Sequence, residues 1–133
     1  MTDEKIELAV LPLESMRSEP IFVAPAGDAS IKFEFERGQR LVRGGLHFEK
    51  VRSYRYRAES HCTYWHIHDA YETLVEVVGS SWVAELVDVQ PLDRRDQWEI
   101  HHFMVYVEDD GCYEIAAQSW SWLPEESIDD DGA

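Results

Sequence analysis

A chain of 133 residues, 44% of them apolar, can bury one core and hardly two, so a single domain is expected. Its 27 acidic residues against 12 basic give a formal net charge of −15, a field that repels phosphate backbones and anionic lipid and so argues against nucleic-acid or membrane binding. No apolar run approaches the roughly 18–20 residues that span a bilayer, and the acidic Asp3-Glu4 flank is unlike a basic secretory leader, so the cytoplasm is the expected compartment.

Residues 1–20 mix charges with Pro12 and Pro20 around a short alternation at Ile6, Leu8 and Val10, which fits either an edge strand or a loosely attached arm. Ile21-Phe22-Val23 reads as a short strand, and Pro25-Ala26-Gly27-Asp28 as the turn that follows it. From Ile31 to Glu36 the alternation is strict, sending Ile31, Phe33 and Phe35 inward and Lys32, Glu34 and Glu36 to water. Arg37-Gly38 and Gly44-Gly45 punctuate the next stretch. Leu46 to Arg57 then reads as one long strand with a bulge or break near residues 50–53, where Val51 falls out of phase.

Thr73 to Val78 is a β-branched run and should be a strand ended by Gly79. Ser80-Ser81 offers an N-cap, Trp82, Leu86 and Val89 recur at helical spacing, and Pro91 closes one short helix. Trp98 to Val107 and Cys112 to Ala117 alternate on either side of Glu108-Asp109-Asp110-Gly111, a hairpin signal because Gly takes the positive φ without steric penalty. Trp120 and Trp122 extend the second strand with both indoles on one face, and residues 125–133, acidic and poor in apolar groups, read as a disordered tail behind a domain of residues 1–124.

The expected architecture is therefore mainly β in an α+β setting: an antiparallel sheet or sandwich of about six to eight strands with one short helix. Its core should hold Phe33, Phe35, Phe48, Leu74, Trp82, Leu86, Ile100, Met104, Tyr106 and Ile115. Cys62 and Cys112 are too few for a disulfide framework and read as small hydrophobes.

Charge is unevenly spread. Residues 37–57 hold seven basic residues against Glu49 alone, whereas residues 58–133 hold 18 acids against Arg94 and Arg95. The plainer account is that basic strands pair beside acidic ones, ahead of a dedicated anion site.

The most suggestive local pattern is His66-Ile67-His68-Asp69-Ala70-Tyr71-Glu72. Two histidines two apart on a strand share a face, and a carboxylate a few residues on can add a third ligand. The pattern resembles the first motif of the cupin family, small β-barrels that often hold a divalent metal. That resemblance implies His66, His68 and Glu72 as ligands, with His102 or His101 standing in for the missing second motif, and one divalent metal ion as cofactor. The plainer account is histidines that cap, hydrogen-bond or lie exposed, with no cofactor. His102 shares its strand face with Ile100, Met104 and Tyr106, a face that looks like core.

The acids form the other candidate: Asp93 and Asp96 near the helix exit, and Glu108, Asp109 and Asp110 at the hairpin tip, as a surface for a basic protein partner. In size, charge and style, residues 46–122 resemble the small acidic bacterial proteins that include immunity proteins, with Ala70 to Glu76, Ser81-Trp82 and the His102 to Glu114 hairpin prompting the likeness. What this resemblance implies is a non-enzymatic domain that neutralises a basic partner such as a toxin; no residue role carries over from it.

Overall fold

The computed structural model describes residues 4–12, 20–24, 26–97 and 99–128. Among the described residues alternation and β-branching produce nine strands in two antiparallel sheets, the mainly β, α+β architecture expected, with a strand more than the about six to eight anticipated. The first sheet runs in the order β1 (Glu4–Val10), β6 (Thr73–Val78), β7 (His101–Val107), β8 (Gly111–Ala117), β5 (Ser53–Ala58). The second runs β2 (Ile21–Val23), β3 (Ala29–Arg37), β4 (Arg40–Glu49), β9 (Ser119–Ser127). A one-turn helix, α1 (Tyr64–Ile67), and the expected α2 (Ser81–Asp88) accompany them. Among the described residues no helix is long and apolar enough to cross a membrane.

The sheets bury their facing sides against each other. Ile31, Phe33 and Phe35 of β3 are at most 2% exposed, and they meet Leu74, Phe103, Val105 and Ile115 of the other sheet, with the Phe48 and Phe103 rings 5.5 Å apart. The five-stranded sheet is covered on its outer face as well, where Val75, Val77, Met104, Tyr106 and Cys112 pack under Trp65, Ile67 and Cys62. As a result β8 is buried along its whole length. Seven of the ten expected core residues are buried; Trp82 and Leu86 are only half-buried because α2 buries none of its residues fully, and Ile100, just before β7, is half-buried too.

The expected long strand from Leu46 to Arg57 is two strands in different sheets. Lys50 takes a left-handed φ of 54°, and the chain crosses over with Val51 N donating to Gly27 O at 2.7 Å and Arg52 N to Ala116 O at 2.7 Å. The expected extension of β8 through Trp120 is a crossing too: β9 returns to the second sheet and sets Trp120 opposite Phe48 and Trp122 opposite Leu46. The two indoles do sit together, 5.6 Å apart and near perpendicular. The strand runs past Pro124 to Ser127, into the segment read as tail, while residues 129–133 lie outside the described residues.

Gly45 does not punctuate the chain but sits inside β4 at a bulge, where the register with β9 shifts between Arg43 and Gly45. A β-carbon there would lie 2.0 Å from Ile31 O, and its φ is 150°. Gly38, at the β3–β4 turn, has φ 68° but open space around it. Gly45→Ala is therefore expected to destabilise by about 2–4 kcal/mol, against about 1 kcal/mol for Gly38→Ala. Urea unfolding of the two variants checks this; equal costs would remove the close approach as the reason for Gly45.

Candidate functional site

The outer face of the five-stranded sheet carries a buried polar network. Gly79, at φ 69°, turns the chain out of β6, and Ser80 then caps α2, its Oγ accepting from Val83 N at 3.1 Å. The same Oγ lies 2.7 Å from His102 Nδ1, and His102 Nε2 lies 2.7 Å from Glu114 Oε1. His102 and Glu114 are 2% and 3% exposed. They meet because the hairpin register sets Met104 opposite Glu114 and Ala116 opposite His102, which makes the pair diagonal neighbours on one face. Arg55, directly across from Glu114 on β5, donates from Nη2 to the same carboxylate at 2.9 Å.

Two indoles frame this network. Trp82 meets the His102 ring edge-on at 4.9 Å and carries the Arg55 guanidinium over its face at 4.1 Å, while Trp65 lies 6.5 Å from His102. Arg55, Trp65, Ser80, Ser81, Trp82 and His102 line a cleft of ≈ 290 Å³.

Burial by itself would raise the Glu114 carboxyl, but hydrogen bonds from His102 and Arg55, reinforced by the guanidinium charge, bring it down to about 2. Glu114 is therefore an anion at neutral pH. An anionic carboxylate only accepts, so His102 Nε2–H donates to it, and in the neutral ring Nδ1 is left to accept the Ser80 hydroxyl proton. Serine, imidazole and carboxylate are thus aligned in the order nucleophile, base and orienting group.

Of the residues singled out in the sequence, His102 belongs to this network and the others are placed elsewhere. His66 and His68 lie on α1 and its C-cap and not on a strand, so two residues apart they do not share a face. His66 Nδ1 is held by Thr63 N and Oγ1 at 3.0 and 2.9 Å, and burial, followed by the Arg57 charge, lowers its pKa. His68 stacks on Tyr64 with ring centres 4.8 Å apart and meets the Tyr64 hydroxyl at 2.9 Å. Glu72 occupies a left-handed turn at φ 46°, its amide donating to Tyr106 O. Among the described residues no group of three or more His, Cys, Asp or Glu is arranged to hold a metal.

Asp93 is exposed in the 3-10 helix Leu92–Gln97, and the Asp96 side chain lies outside the described residues. At the hairpin tip Glu108 and Asp109 are exposed, whereas Asp110 accepts from the Tyr56 and Tyr113 hydroxyls at 2.8 and 2.6 Å. Tip and helix exit stand at opposite ends of β7, whose seven residues span about 20 Å at 3.3 Å per residue, so the two acidic groups are not one surface.

Sequence reasoning passed over Ser80, Glu114 and Arg55 as a group. The signal was present: the Asp-Gly hairpin fixes a register, that register puts Glu114 diagonal to a histidine already assigned to the core face, and a buried imidazole needs partners. The chain matches no family model, no curated protein and no solved structure.

Glu114 lies below its ordinary value of 4.5 in the fold, so its stabilising contribution is present above about pH 4.5 and is lost as pH falls towards about 2. The stability gap between wild type and Glu114→Gln should accordingly close on acidification across that window. Arg55→Ala should cost about 1–3 kcal/mol at pH 7, at the lower end if the exposed half of the arginine is well screened, and should raise the acid-unfolding midpoint. Urea titrations from pH 7 to pH 2 read both; an unchanged gap would mean Glu114 is not ionised in the fold.

Proposed function

We propose that the protein is an acidic protein-binding domain of the immunity or inhibitor type, which covers a basic partner through the shoulder formed by the end of α2 and the following 3-10 helix. The observation that carries this reading is a coincidence of groups. Leu92 and Val89, at 79% and 72% exposure, are two of the three most exposed large apolar side chains among the described residues. They stand in the same segment as the exposed acids Glu85, Asp88 and Asp93. A groove of ≈ 350 Å³ with a mixed lining, Val51, Leu86, Val89 and Ile100 with Arg52 and Gln90, continues from Val89. Exposed apolar groups beside an excess of exposed acids suit a basic partner, although the exposed Arg94 and the groove-lining Arg52 stand among them.

Helix energetics supports the same reading. The C-terminal half of a helix carries partial negative charge, so stability favours acids at the start and bases at the end. α2 has no acid in its first turn and no base in its last, while Glu85 and Asp88 lie in its second half. These acids sit where they oppose the helix, which fits a role outside it.

Glu85→Lys is expected to stabilise the fold by about 0.3–1 kcal/mol while weakening partner binding. Affinity capture from the source cell should return a basic protein whose association rate falls steeply between low and high salt, since steering is screened beyond about 8 Å at physiological ionic strength. Leu92→Asp should weaken the complex at least tenfold. A complex indifferent to salt and to both substitutions would overturn the assignment.

A further inference from the structure

We propose that Ser80 is a catalytic nucleophile and that the cleft over Trp65 and Trp82 is an acyl-transfer site for small esters with an aromatic acyl or alcohol part. This goes beyond the partner-binding reading, which concerns the opposite end of α2, and neither depends on the other. Three observations converge on Ser80. Its Oγ is 2.7 Å from His102 Nδ1, whose other nitrogen is 2.7 Å from the buried Glu114 carboxylate. Arg55, 2.9 Å from Glu114, keeps that carboxylate charged, so that the imidazole has an anion to lean on when it takes up a proton. Ser80, though only 7% exposed, and Ser81 also line the cleft, so a substrate seated there would lie against Ser80.

The reaction closes without an outside oxidant or reductant. Ser80 Oγ adds to the ester carbonyl carbon while its proton passes to His102 Nδ1. The carbon–oxygen bond to the alcohol then breaks, the departing oxygen takes the proton from Nδ1, and the acyl group stays on Ser80. Water repeats the sequence: its proton goes to Nδ1, its oxygen to the acyl carbon, and Nδ1 returns the proton to Oγ. Val83 N–H already bonds Ser80 Oγ and Ala84 N–H bonds Ser80 O, so the Ser81 and Trp82 N–H groups are the first-turn amides of α2 that a tetrahedral oxyanion would meet. The hydrogen bond from Val83 N fixes the Ser80 rotamer, so nucleophile and base are preorganised. The ring nitrogens are used in the reverse of the commoner order, with the serine on Nδ1; which nitrogen acts as base is set by the hydrogen bond the other makes, here Nε2 to Glu114. The ≈ 290 Å³ of the cleft limits the substrate to small molecules, and the two indoles favour a flat apolar group. Glu114 and Arg55 act as positioning residues.

The test is covalent labelling of the full-length chain with a fluorophosphonate probe, read by intact mass and peptide mapping, with chymotrypsin as positive control. One label per chain at Ser80 is expected, together with hydrolysis of phenyl acetate. Ser80→Gly keeps an acceptable helix cap and should abolish both. His102→Gln should slow labelling at least 100-fold, and Glu114→Gln should shift the pH profile of labelling, which a merely structural carboxylate would leave in place. A folded wild-type chain that stays unlabelled beside labelled chymotrypsin would overturn the proposal, as would a label on tyrosine or ester hydrolysis that survives in Ser80→Gly.

Discussion

A carboxylate carried to the covered side of a central strand has to bring its counter-charges with it, and Glu114 sets that condition for much of this molecule. β8 is buried on both faces, so the ionised Glu114 has little water to rely on and depends on His102 and Arg55 for its hydrogen bonds. Those partners come from the two strands on either side, which ties the register of β5, β7 and β8 together through one charged group. The cover over this region is held in a similar way. Lys5 on β1 donates to the carbonyls of Trp65 and His68 and lies over the Trp65 ring at 4.7 Å, so the edge strand anchors the α1 segment that closes the outer face.

The same pairing logic accounts for the basic segment. Arg37 makes a two-pronged contact with Glu125 at 2.9 and 2.8 Å, Arg43 meets Glu34 at 3.1 Å, and Arg55 meets Glu114. Each exposed pair contributes little to stability. Their collective effect is on the field: three of the seven basic positions pair with acids of other strands, Arg43 and Arg55 with the strand beside their own and Arg37 with β9 across β4. The excess acid elsewhere is then the charge that a partner would meet.

The parts of the fold written in local pattern were legible in the sequence. Strict alternation gave β3, the Asp-Gly turn gave the β7–β8 hairpin, and Ser80 before a Trp82, Leu86, Val89 spacing gave α2 with its cap. The two sheet crossings were not legible, because an alternating run looks the same whether its second half pairs in one sheet or another; only the left-handed Lys50 and the contacts to Gly27 and Ala116 distinguish them. His66 and His68 illustrate the same limit from the other side. Two residues apart they converge on a strand and diverge on a helix, so a metal site could be imagined only by assuming the backbone. The network at Ser80 needed two long-range registers at once, and sequence reasoning stopped after the first.

Departures from local preference divide this chain into positions the fold explains and positions it does not. Left-handed Lys50 serves the crossing between sheets, Gly45 the bulge against Ile31, and left-handed Asp69 and Glu72 bracket the Ala70-Tyr71 step, where Ala70 O and the Glu72 amide both bond Tyr106. Each of these irregularities is matched by a contact that requires it. Glu85, in the last turn of α2, opposes the helix dipole, and the bare Leu92 leaves apolar area in water. A sequence that is locally consistent almost everywhere violates its own rules mainly where something other than stability is being selected. By that criterion Glu85 and the exposed Val89 and Leu92 are where the shoulder at the end of α2 departs from what stability alone favours, and this apolar area is what the proposed partner would cover.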